Sequence, residues 1–211
     1  MNSEIEIIRL QESQIKQASE TLINAFAINQ LNQRDESEQE DFVSWANSPL
    51  IVFDSEVPDS YWQSVLRYCQ SLKHVYTTPE IKGIAAWIPQ GWYPLDFWRC
   101  LETGYYWGIF KSYPFSWLTD TYYIQNMRQP YWYLFALGVL PDYQRQGIGS
   151  SLIQPILKRA SEDGLPCYLE ARTEEAVSFY QKNGFEIIEK FETPTFEQTI
   201  TYWTMKREPT N

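Results

Sequence analysis

The sequence predicts a mixed α/β fold, with a twisted central sheet of about six to seven strands flanked by helices. Three observations predict it. Short β-rich runs alternate along the chain with segments whose apolar residues fall at helical spacing. The run from Trp132 to Leu140 is apolar throughout and of strand length, as a central strand buried on both faces should be. With 211 residues, 44% of them hydrophobic and only 9 glycines, the chain can bury a proper core as one domain.

The elements follow in order. Ile5 to Leu10 is short and β-rich, and Ile15, Ala18, Leu22, Ala25 and Phe26 then recur as one face of an amphipathic helix. Residues 33–41, QRDESEQED, are acidic and polar and read as a solvated loop or helix start. Trp62, Val65, Leu66 and Cys69 make the apolar face of a second helix, ahead of two strands over 72–78 and 81–88, the second bounded or bent by Gly83 and Pro89. Residues 89–130 hold Trp92, Trp98, Trp107 and Trp117 among many Tyr and Phe. Charges interrupt them too regularly for a membrane span, and the segment reads as an insertion helical in part. After the central strand come a polar turn, a helix over about 147–162, a strand from Pro166 to Ala171, a helix over 174–182, and strands near 185–191 and 198–206. There is no internal repeat and no low-complexity tract.

Composition excludes several functions. A formal charge of -10 argues against nucleic acid, because phosphate backbones are held by clustered Lys and Arg. The same acidity suits long-range steering of a cationic amine, and it equally serves plain solubility. MNSEIEIIRL carries two glutamates where a secretory leader needs basic residues and then an apolar run. Cys69, Cys100 and Cys167 are odd in number and far apart, with neither disulfide nor zinc-site spacing, so no metal is expected and a reducing cytoplasm fits.

The chemistry lies in Val139-Leu140-Pro141-Asp142-Tyr143-Gln144-Arg145-Gln146-Gly147-Ile148-Gly149-Ser150-Ser151, which joins the central strand to a helix. At a helix entrance the backbone N–H groups lack intrahelical partners and the dipole is positive. Main-chain donors can therefore hold a pyrophosphate, and glycine lets it approach. A tight turn whose glycines serve only packing is the bland alternative. Leu152 stands where a dinucleotide fingerprint needs a third glycine, and no Gly-Lys-Ser/Thr of a Walker loop is present.

The pattern V-x-P-x-x-Q-x-x-G-x-G, carried by Gln144, Gly147 and Gly149, resembles the acyl-CoA pyrophosphate loop of the GNAT superfamily of N-acetyltransferases. Phe179-Tyr180-Gln181-Lys182-Asn183-Gly184-Phe185 resembles the F-Y-x-x-x-G-F signature of its last helix and following strand. Local physics agrees, with Thr173 as N-cap, Glu174 and Glu175 in the first turn, Lys182 in the last and Gly184 as αL cap. The likeness is close over roughly residues 131–206. The first 130 residues match only in element order.

The resemblance implies one acyltransferase domain over 1–211, with acetyl-CoA as donor and a small-molecule or peptide amine as acceptor; neither nucleic acid nor membrane is an expected partner. Arg145, Gln146, Ile148 and Ser150 complete the implied cofactor loop beside Gln144, Gly147 and Gly149, and Gly138 and Val139 are the implied main-chain donors to the thioester carbonyl. Tyr180 is implied as general acid, although an aromatic on that helix face also suits plain packing. Glu170, at the end of its strand, can take or relay the amine proton, or be a surface partner of Arg172. His74, the only histidine, lies far in sequence from the motif and reads as structural. Ala176 replaces the Asn that many relatives use on the pantetheine arm, and Pro155 should kink its helix. The rival reading is a CoA-binding sensor that kept the loop and lost turnover.

Overall fold

The computed structural model describes residues 5–31, 59–89, 97–104, 130–194 and 199–210. Seven strands form one sheet: β1 Ile8–Arg9, β2 Val75–Thr77, β3 Gly83–Ile88, β4 Trp132–Val139, β5 Cys167–Ala171, β6 Glu186–Pro194 and β7 Thr199–Arg207. Their order across it is β1-β2-β3-β4-β5-β7-β6. Every pairing is antiparallel except that of β4 with β5. Among the described residues the helices are α1 Ile15–Leu31, α2 Asp59–Ser71, α3 Phe97–Thr103, α4 Ile148–Glu162 and α5 Glu174–Lys182. The acidic segment 33–41 lies outside the described residues.

Each face of the sheet carries its own core. Leu22 of α1, with Trp62 and Leu66 of α2, packs on Ile84, Ala86, Tyr133 and Tyr168. On the other face Leu152, Ile153 and Ile156 of α4 meet Trp87, Trp132, Leu134 and Leu169. The two sets alternate along β3 and β5, and along β4 except at the irregularity opposite Ala86 and Trp87, where Phe135 and Ala136 both face the first core. Gly138 lets α1 approach, since a Cβ there would stand 2.9 Å from Leu22 Cδ2 and 3.1 Å from Ala25 Cβ.

The β2–β3 turn is strained in one place. Ile81 adopts φ 57°, uncommon for a β-branched residue, yet its side chain is buried and its carbonyl accepts from Thr21 Oγ1 of α1 at 2.8 Å. Core burial and that buried hydrogen bond offset the backbone cost.

One feature positions the site. β4 pairs with β5 only at Trp132↔Cys167 and Tyr133↔Tyr168, while on its other edge β4 stays paired with β3 as far as Val139↔Gly83. The two parallel strands therefore part after Tyr133 and Tyr168, and the end of β4 is left with one edge open.

Candidate active site

The open edge of β4 runs directly into the glycine loop. Pro141–Tyr143 is a 3₁₀ turn, after which Arg145 takes φ 60° and Gly147 takes φ 86° as the N-cap of α4. Two glutamines knit this loop to itself: Gln144 Nε2 donates to Val139 O at 3.0 Å and Gln146 Nε2 to Asp142 O at 3.1 Å. The motif's Gln144 and its loop neighbour Gln146 thus act here as internal braces. Ser151 N–H donates to Gly147 O at 3.0 Å as the first hydrogen bond of α4, so the amides of Ile148, Gly149 and Ser150 have no intrahelical acceptor. With φ reversals on either side of Gln146, this entrance has the arrangement of unpaired amides that an anion cradle needs.

The two glycines serve different ends. A Cβ on Gly147 would meet only Ile5 Cδ1, at 3.8 Å, so the backbone conformation is what demands glycine there. A Cβ on Gly149 would come within 3.2 Å of the Phe179 ring, so that glycine lets α5 pack against the start of α4. The packing alternative holds for one glycine and the conformational one for the other. An open cavity of about 1290 Å³ adjoins the loop, with Lys82, Tyr143, Gly147, Ser151 and Lys158 in its wall. Lys82 lies 4.9 Å from the Tyr143 ring centre. Pro155 also lines it; lacking an N–H, it cannot serve the carbonyl of Ser151 one turn back.

Backbone alternation separates Gly138 from Val139. Leu140 N–H donates to Lys82 O beside β3 at 2.9 Å. Successive strand amides point to opposite edges, so the N–H of Val139 turns to the open side and that of Gly138 back to β3.

Tyr180 and Glu170 lie on opposite faces of the parted strands. Tyr180, on α5, is buried in the core with α4 and meets Phe179 and Phe185 edge-on, with ring centres 5.1 Å and 5.7 Å away. Burial pushes its phenol well above the usual range, so it is a protonated donor at neutral pH. Thr173 caps α5 as its sequence implies, its Oγ1 accepting from Ala176 N at 3.1 Å, and Gly184 sits at φ 85°.

Glu170 shares the other face with Tyr168, two residues earlier in the strand. Its two carboxylate oxygens are closed off from solvent. Arg172 does feel its charge, as the sequence allowed, but the partnership is a buried one. Tyr133, Tyr61 and Tyr202 also act on that guanidinium. Sequence reasoning missed these tyrosines as a group, because they come from β4, α2 and β7. His74 lies on the face of α4, its ring edge-on to Trp132 at 4.7 Å, away from this cluster. Trp98 is 71% exposed, while Trp92, Trp107 and Trp117 lie outside the described residues.

A parallel strand pair that opens beside a cradle of free amides is the architecture of an acetyltransferase-type α/β fold. The acetyltransferase (GNAT) family model matches residues 69–185, and the chain belongs to that family. It is 39% identical to N-alpha-acetyltransferase 50 of Danio rerio over 61 residues, 27% of this chain and 36% of the relative. That match leaves most of the relative's length unspanned. Among solved structures, the polyamine N-acetyltransferase of Drosophila melanogaster, which catalyses the formation of N-acetylagmatine, superposes with a TM-score of 0.63 at 12% identity over 97% of this chain and 99% of its own. A histone acetyltransferase HPA2 and related acetyltransferase from Corynebacterium glutamicum does so with 0.58 at 16% identity, over 99% and 98%. At these identities the structural likeness is one of fold. Among the described residues no helix is long and apolar enough to cross a membrane.

Proposed function

We propose that this chain, as one domain over residues 1–211 with its 89–130 insertion, transfers an acetyl group from acetyl-CoA to a primary amine of a small molecule or peptide by direct attack. The observation that carries this reading is the parting of β4 from β5 beside the amide cradle, with a buried phenol on one face and a carboxylate on the other.

The loop from Arg145 to Ser150 suits the donor's pyrophosphate, with Gln144 holding the end of β4 in place. Val139 N–H is the better of the two main-chain candidates for the thioester carbonyl, since it faces the gap. Glu170 takes the ammonium proton, directly or through water. The freed amine nitrogen then bonds to the acetyl carbon, the carbon–sulfur bond breaks, and Tyr180 protonates the departing thiolate; the second proton, shed by the nitrogen as it becomes an amide, leaves through water and restores the phenol. At a charge of -10 the chain favours a cationic acceptor by steering. We place the protein in the cytoplasm, where the buried thiols of Cys69 and Cys167 match a reducing environment.

One relative is named for α-amines and another for a polyamine, so both chemistries belong in the acceptor panel. Thiol release from acetyl-CoA, followed with agmatine and with short peptides bearing a free N-terminus, tests the reading. Release that depends on an amine supports it. CoA binding with no release for any amine would favour a sensor.

A further inference from the structure

We propose that Arg172 is the positioning residue of the acceptor side: its guanidinium holds Glu170 as a carboxylate on a tyrosine-walled face that would otherwise drive it to the neutral acid. This rests on the reading of Glu170 as base and gives that base a working charge state.

A carboxylate withdrawn from water is strongly disfavoured unless an opposite charge or hydrogen bonds compensate, and the usual outcome is protonation. Both oxygens of Glu170 are withdrawn in this way. A neutral carboxylic acid cannot take a proton from an ammonium, so some group must keep the charge in place.

The neighbours on this face can be enumerated by strand register among the described residues. On β5 it is Tyr168, two residues before Glu170, and Arg172 follows Glu170 just past the strand's last residue, Ala171. On β4, Tyr133 stands opposite Tyr168, and Tyr131 meets Tyr168 edge-on at 5.4 Å. On β7, Thr204 stands opposite Glu170, with Tyr202 and Lys206 two residues to either side. On β6, Glu189 pairs with Thr204, and α2 contributes Tyr61.

Most of these carry no useful charge. The phenols are neutral near pH 7, Thr204 is neutral, and Glu189 has the wrong sign. Lys206 is engaged with Glu208 and lies 5.6 Å from the Tyr168 ring centre. Arg172 remains. Its guanidinium is desolvated, which lowers its affinity for the proton, and Glu170 heads the groups that oppose that effect, ahead of Tyr133, Tyr61 and Tyr202. Arginine suits this task because it holds its charge under desolvation more firmly than a lysine does.

Selective ¹³C labelling of glutamate carboxyls, with assignment of Glu170 from the Glu170→Gln spectrum, reads its titration directly and needs no substrate. In Arg172→Gln the Glu170 midpoint should rise by at least about one pH unit, and Arg172→Lys should restore part of the difference. An unchanged midpoint overturns the proposal. Should Arg172→Gln fold poorly at neutral pH, thermal melts decide in its place. The loss should shrink as pH falls and vanish in Arg172→Gln/Glu170→Gln; a loss unaffected by either overturns the pairing. The acid limb of kcat/KM with agmatine or an N-terminal peptide should move with the carboxyl midpoint. A midpoint that moves while the acid limb stays fixed would uphold the charge pairing and refute Glu170 as base.

Discussion

Tyr180 lies edge-on to two phenylalanines with its phenol held in the protonated form, so it carries a proton to give, although the same burial makes it a weaker acid than a free tyrosine. Tyr180→Phe keeps the ring and its packing. It should lower turnover by about 10²–10⁴-fold with CoA affinity nearly unchanged, and single-turnover kinetics beside a CoA titration will show both. Unchanged turnover would leave Tyr180 a core residue. Gly147 is held at φ 86° with open space around its α-carbon, so its substitution tests the cradle in two parts. Gly147→Asn accommodates the left-handed backbone and adds no charge, and it should keep part of the rise in Tm that CoA produces. Gly147→Asp sets a carboxylate against the pyrophosphate and should abolish that rise. Equal shifts in both variants and the wild type would mean that CoA binds elsewhere.

At the scale of elements, α1 lies close to β4 because Gly138 has no side chain. Gly138→Ala puts a carbon 2.9 Å from Leu22 Cδ2, and it should destabilise the fold by about 1–3 kcal/mol in urea titrations. Leu22→Ala in the same chain should recover less than its own cavity cost, so a double-mutant cycle with no coupling would contradict the contact. Near the far end of the sheet, burial, then Arg159 and then Arg9, lower the pKa of His74 from 6.5 to about 4. The folded state therefore binds fewer protons than the unfolded chain between those values. The contribution of neutral His74 is present above pH 6.5, declines as pH falls, and is gone below about 4. His74→Phe should flatten the acid side of the stability curve, and an acid loss as steep as that of the wild type would contradict this. These element-level features were unevenly legible. The limits of α5 were readable because Thr173, Glu174, Lys182 and Gly184 mark both ends by local chemistry. Two-residue β1 is shorter than the β-rich run Ile5 to Leu10, because only Ile8 and Arg9 pair in register with β2, Leu10 adding one amide bond to Val75 O. Strand length is decided by a neighbour that sequence alone does not reveal.

At the scale of the molecule, seven strands order themselves so that the one parallel pair sits between two antiparallel blocks and opens beside the loop. The loop and Tyr180 were legible because each belongs to a contiguous motif. The grouping of Glu170 and Arg172 with Tyr133, Tyr61 and Tyr202 was not, since four elements supply it and only the sheet brings them to one face. Gly149 was legible as a loop glycine, while its packing against Phe179 depends on how α5 returns across α4. The central claim is that these parts together transfer an acetyl group, and the most direct measurement is thiol release from acetyl-CoA in the presence and absence of a primary amine. The expected result is release that needs the amine, is lost in Gly147→Asp and is strongly reduced in Tyr180→Phe, with the acetylated amine found by mass. Binding of acetyl-CoA with no amine-dependent release, for agmatine and for every N-terminal peptide offered, would contradict it.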